Sequence, residues 1–153
     1  MQANLTYYIW EGVLTGTVSG RFFHILALSG GGGGSKAHRP SDAANNPYME
    51  ALKTKGKGGA KGHVHGGPIP PGKYTIKKPA QDPHLGLSAE LVHPHWKPMG
   101  RDGFSIHGRG YHGSDGCIVP LDAHQFQSLM SALTQSNGGT LIVEEAMGGE
   151  RFA

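Results

Sequence analysis

The chain's one cysteine, Cys117, stands ten residues after His107 in the stretch SIHGRGYHGSDGCIVP. A thiol becomes a strong nucleophile when a neighbouring imidazole takes its proton or lowers its pKa, so a Cys–His pair can carry acyl transfer at neutral pH. The segment between them holds Gly108, Gly110 and Gly113, and Gly116 lies directly before the cysteine. Glycines free the backbone to fold back, which brings the two ends of such a loop together. Gly116 also lets backbone approach a substrate closely, and the successive N–H groups from Ser114 to Cys117 are candidates to face a developing oxyanion. A plainer reading stands beside this one: a lone cysteine in a strand is often just a small buried apolar side chain. Spacing alone leaves both open.

Several elements must position this pair. FSIH (104–107) reads as a short strand with His107 at its carboxyl end, and GCIV (116–119) begins another. After it, Phe126, Leu129, Met130 and Leu133 recur at helical spacing, with Asp122 as N-cap and Asn137-Gly138 as the stop. TLIVEE (140–145) is a closing strand. Upstream, LTYYIWEGVLTGTV (5–18) predicts two strands around a Glu11-Gly12 turn, and RFFHILALSG (21–30) a third that is buried on both faces. GPIPPGKYTI (67–76) predicts a turn feeding a strand, and AELVHPHW (89–96) a further strand ended by Pro98. The expected fold class is mainly β or α+β with one main helix.

With 153 residues the chain is read as a single domain, 1–153, and its 26 glycines and ten prolines favour turns and strands over a helical bundle. GGGGG at 30–34 opens a glycine-rich, polar loop to about residue 67, expected to be flexible apart from a helical turn near Pro47–Lys53. No Gly-Lys-Ser/Thr follows those glycines, which argues against a phosphate loop. The formal charge is only +3, and the lysines of KTKGKGGAKGH (53–63) have no aromatics among them, so nucleic-acid binding is not expected. No apolar run reaches the roughly 18 residues that span a bilayer, and MQANLTYYIWEG does not read as a signal peptide. The pairs His63/His65 and His93/His95 raise a zinc reading, but no HExxH or partner carboxylate accompanies them. Trp10 and Trp96 are expected in the core, with sugar stacking as the alternative.

Two motifs in order, GPIPPGKYTI and HG–loop–SDGCIV, resemble the signature of L,D-transpeptidases. The short gap from His107 to Cys117, SGGGG at 29–33 and NNP at 45–47 narrow the resemblance to L,D-transpeptidase effectors of type VI secretion, and it runs from about Leu5 to Val143. The resemblance implies an L,D-transpeptidase-like β-sandwich in which Cys117 is the nucleophile and His107 its general base. Ser114, Asp115 and Gly116 become candidates for orienting or oxyanion roles, and Gly108, Arg109, Tyr111 and Arg101 for substrate binding. Asp115 stands where the family carries histidine, and Val119-Pro120 where it carries arginine. The implied substrate is the peptidoglycan stem peptide, with loss of the terminal D-alanine of tetrapeptides or its exchange for another D-amino acid. No cofactor is implied. An effector of this kind is made in the cytoplasm, exported by secretion machinery without membrane insertion, and acts in a rival's periplasm. A cognate immunity protein protects the producer. Two other classes stay in view: a non-catalytic peptidoglycan- or protein-binding module, and a histidine-rich zinc peptidase.

Overall fold

The computed structural model of the chain describes residues 2–30, 45, 68–93, 103–108 and 116–148. The fold begins with β1 (Ala3–Tyr8), β2 (Val13–Val18) and β3 (Arg21–Ser29), an antiparallel meander. Ser19 and Gly20 form a two-residue turn between β2 and β3, both with positive φ, which matches the right-handed twist of paired strands. β4 (Gly72–Ile76), β5 (Ala80–Asp82), β6 (Gly86–Val92), β7 (Phe104–His107) and β8 (Ile118–Pro120) follow. Helix α1 (Ala123–Ser136) and β9 (Gly139–Glu144) complete the described elements.

All nine strands join one sheet in the order β4-β9-β1-β2-β3-β8-β7-β6-β5. β4 also pairs with β6, so the sheet curls over and closes on itself, with β5 on its outer edge. Among the described residues the fold is therefore mainly β with one helix, as expected, and its two layers come from a single closed sheet. Inside lie Leu5, Tyr7, Ile25, Tyr74, Ile76, Phe104, Ile106 and Ile118, joined by Leu129, Met130 and Leu133 from the helix.

The helix keeps both sequence signals. The Asp122 carboxylate accepts from the Gln125 N–H at 2.9 Å, a cap worth about 1 kcal/mol. Asn137 stops the helix in the left-handed region (φ 59°), returning its N–H to Leu133 and Thr134.

Three expectations change. β3 is not buried on both faces: its pattern alternates, and Phe22 (67% exposed) and Leu26 (55%) point outward. An unbroken apolar run hides a period of two when the outer face is itself apolar. Trp10 is outside the core, 48% exposed in the β1–β2 turn. β6 begins at Gly86, three residues before the predicted start, because the Asp82–Gly86 turn hairpins it onto β5. Apart from Gly30 and Asn45, the loop expected at about 30–67, with the turn near Pro47–Lys53, His63 and His65, lies outside the described residues, as do His95 and Trp96. No helix among the described residues is long and apolar enough to cross a membrane.

Candidate active site

β7 and β8 run parallel side by side, with Ile106 opposite Ile118 and both fully buried in the core. His107 follows the first isoleucine and closes β7, so alternation turns it away from the face Ile106 buries, and Cys117 directly precedes the second isoleucine at the entry to β8. At ordinary strand spacings, backbone positions so close to a paired residue on neighbouring strands lie about 8 Å apart. The chain thus leaves β7 and re-enters the sheet on the neighbouring strand.

His107 is 9% exposed. Its Nδ1 lies 2.7 Å from the carbonyl oxygen of Gly108. A carbonyl can only accept, so this contact requires the proton on Nδ1 and leaves the ring's lone pair on Nε2, the tautomer a general base needs. Gly108 itself sits beside the Phe126 ring, where a Cβ would lie 3.4 Å from the nearest ring carbon. The first turns of α1 therefore back the strand end that carries the imidazole.

Cys117 is half-buried, with Sγ 3.8 Å from the Gly103 carbonyl oxygen. The protonated thiol is the donor in that contact. Gly116 has φ 114°, a conformation that disfavours any residue with a Cβ. Ser29, on the neighbouring β3 and opposite Ile118, donates its hydroxyl to the Gly116 carbonyl at 2.8 Å.

A cleft of about 340 Å³ is lined in part by Gly103, the residue whose carbonyl the thiol faces. Ser88 and Glu90 of β6 line it together with Ser105 of β7; Ser88 is the register partner of His107, and Glu90 of Ser105. Lys77, Lys78 and Asp82 stand at its rim. The N–H of His84 donates to the Asp82 carboxylate at 2.7 Å and that of Leu85 at 3.0 Å. These bonds, the His84 one foremost, hold the Asp82 carboxyl below its ordinary range, and the His107 imidazole adds a small pull in the same direction.

Of the residues singled out in the sequence, His107 and Gly108 lie at the end of β7, and Gly116 and Cys117 lead into β8, the strand paired with it. Ser114, Asp115, Arg109, Tyr111 and Arg101 lie outside the described residues. His93 packs edge-on against Tyr74, and no three His, Cys, Asp or Glu residues gather among the described residues. Sequence reasoning missed the Gly103 and Gly108 carbonyls, Ser29, and the charged rim of the cleft. The adjacent lysines ahead of DPHLG were the one readable signal for that rim.

This is the fold of L,D-transpeptidase domains. The chain is similar to the L,D-transpeptidase of Xylanimonas cellulosilytica (TM-score 0.53, 16% identity over 94% of this chain). It is also similar to the L,D-transpeptidase of Mycobacterium smegmatis (TM-score 0.51, 16% identity, 94% covered). A third similar structure is the helical cell shape determining protein Pgp2 of Campylobacter jejuni (TM-score 0.52, 17% identity, 95% covered). The chain spans only 60%, 58% and 47% of those three chains. No protein-family model and no curated protein matches the sequence.

Proposed function

We propose that this protein is a cysteine acyltransferase of peptidoglycan stem peptides, with Cys117 as nucleophile and His107 as general base. The observation that carries the reading is the His107 ring fixed by the Gly108 carbonyl with its lone pair on Nε2, at the end of the strand that pairs with the one Cys117 leads into. His107 Nε2 takes the Cys117 proton, and the thiolate attacks the carbonyl carbon of the third stem residue, a diamino acid. The tetrahedral oxyanion collapses, the bond to D-alanine breaks, and the departing amine takes the proton from the imidazolium. A thioester on Cys117 remains. Water then attacks it while giving a proton to His107, releasing a tripeptide and the thiolate; a D-amino acid amine in place of water gives exchange. Every step is proton and acyl transfer.

The cleft supports a charged peptide as substrate. Lys77 and Lys78 offer cations for the stem's carboxylates, and Glu90 and Asp82 offer anions for the free amine of the diamino acid. Resemblance of SGGGG, NNP and the short His107–Cys117 spacing to type VI secretion effectors carries the biological part of the reading. On it, the protein is an antibacterial toxin acting in a rival's periplasm, delivered by secretion machinery and neutralised in the producer by an immunity protein that covers the cleft. Ser114 and Asp115 are then proposed for orienting or oxyanion roles, and Gly108, Arg109, Tyr111 and Arg101 for holding the stem peptide.

The test is mass spectrometry of purified tetrapeptide muropeptides incubated with wild-type protein and with Cys117→Ala. Loss of D-alanine, or its replacement by an added D-amino acid, with the wild type alone is the expected result. Unchanged tetrapeptides with folded wild-type protein overturn the reading and bring the binding-module alternative forward.

A further inference from the structure

Ser29 and Asn45 are the first residues of SGGGG and NNP, and nothing in the acyl-transfer chemistry calls for either. The Ser29 side chain is fully buried, and every polar group it has is engaged. Its hydroxyl donates to the Gly116 carbonyl at 2.8 Å and accepts from the Ile69 N–H at 2.9 Å. Its backbone N–H donates to Asn45 Oδ1 at 2.8 Å, and its carbonyl accepts from the Asn45 N–H at 2.9 Å. Asn45 also donates from Nδ2 to the Ala27 carbonyl at 3.1 Å, and its Oδ1 accepts from the buried Tyr7 hydroxyl. One hydroxyl thus links the carboxyl end of β3, the segment leading to β4 and the residue before Cys117.

The consequence lies in the peptide unit between Gly116 and Cys117. Its C=O and N–H point in opposite directions because a trans peptide is planar. Anchoring the Gly116 carbonyl on Ser29 therefore fixes the direction of the Cys117 N–H and the N–Cα bond from which its side chain departs. Gly116 has only two soft torsions and, at φ 114°, no side chain to hold them. Some outside group has to fix this plane, and buried hydroxyls with both partners satisfied are well suited to it.

We propose that Ser29 is a positioning residue for Cys117, held in register by Asn45 and Tyr7, and that SGGGG and NNP supply this device. The proposal rests on the acyl-transfer reading for its effect on turnover, but not for its effect on the thiol. Displacing a nucleophile by about an ångström costs up to roughly a hundredfold in rate while ground-state binding is largely kept.

The experiment compares the full-length wild type with Ser29→Ala, Asn45→Gly and Ser136→Ala. Glycine suits position 45, where φ is 51°, so that variant removes only the side chain. Ser136 is a second buried hydroxyl, at the far end of α1, and serves as the purely structural control. Two readouts are taken on folded protein: kcat and KM for D-alanine release, and the pH profile of Cys117 alkylation by iodoacetamide, which needs no substrate. Ser29→Ala and Asn45→Gly are expected to lower kcat by roughly tenfold to a hundredfold, with KM within about threefold. Both also shift the alkylation profile, whereas Ser136→Ala lowers only the melting temperature. Wild-type kcat and a wild-type alkylation profile in folded Ser29→Ala would overturn the proposal. Should that variant fail to fold, Asn45→Gly decides in the same terms. Absence of D-alanine release by the wild type sinks the acyl-transfer reading, and the alkylation profile alone then decides whether Ser29 positions the thiol.

Discussion

At the residue scale the site is made as much by backbone carbonyls as by side chains. Gly108 supplies the oxygen that sets the His107 tautomer, and Gly103 supplies the oxygen that the resting thiol faces. A thiolate gains nothing from a carbonyl dipole, so ionisation of Cys117 loosens Sγ from Gly103 and favours a turn toward the imidazole. Removing that imidazole is therefore expected to leave an ordinary thiol. In His107→Ala, the Cys117 alkylation profile should move toward a pKa of about 8.5, and turnover should fall by roughly a hundredfold to ten-thousandfold. An alkylation profile identical to wild type would mean that His107 does not touch the thiol's chemistry. The candidate pair His107 and Cys117 was legible in the sequence because the proposed acyl transfer needs their side chains. The two carbonyls were not, because every residue carries one and only the folded register shows which point inward.

At the scale of elements, legibility follows how much of an element's signal is local. Helix α1 was readable from its apolar spacing and both caps, and β7 from four residues alone. β5 was not, since AQD carries no alternation and pairs only because the Asp82 turn returns the chain to β6. The face of β3 was misread because Phe22 and Leu26 are apolar and outward. Long-range ties such as Tyr7 to Asn45, 38 residues apart, leave no local trace at all. That tie gives a pH prediction. Burial pushes the Tyr7 phenol far above its ordinary value of 10.0, with the Asn45 bond a smaller effect in the opposite direction. The folded state holds the proton more tightly than the unfolded chain, so the associated stability is complete below about pH 10 and lost as pH rises above it. Tyr7→Phe is expected to cost about 1–2 kcal/mol at neutral pH through the lost hydrogen bonds. It should also flatten the alkaline fall in melting temperature relative to wild type. Parallel melting curves from pH 7 to 11 for the two proteins would refute this account of Tyr7.

At the scale of the whole molecule, the described residues form a sheet closed on itself, with His107 ending one strand, Cys117 leading into its parallel neighbour, and a charged cleft reaching Gly103. Closure through the β4–β6 pairing also brings the Lys77–Lys78 segment to the cleft. The sequence could not display this, because closure joins strands that are neighbours only in space. If those lysines read stem-peptide carboxylates, replacing both with glutamate should raise KM about threefold to tenfold and leave kcat within about twofold. Because the lysines are exposed, the difference should shrink as salt is raised. An unchanged KM at low salt would remove the cleft from substrate binding. The central claim, that Cys117 carries the acyl group, is tested most directly by mass spectrometry of the intact protein quenched in acid during turnover of a tetrapeptide donor. The account predicts an adduct equal to the donor less D-alanine, mapped to the peptide containing Cys117 and released by hydroxylamine. Turnover with no adduct, together with full activity in Cys117→Ala, would contradict it.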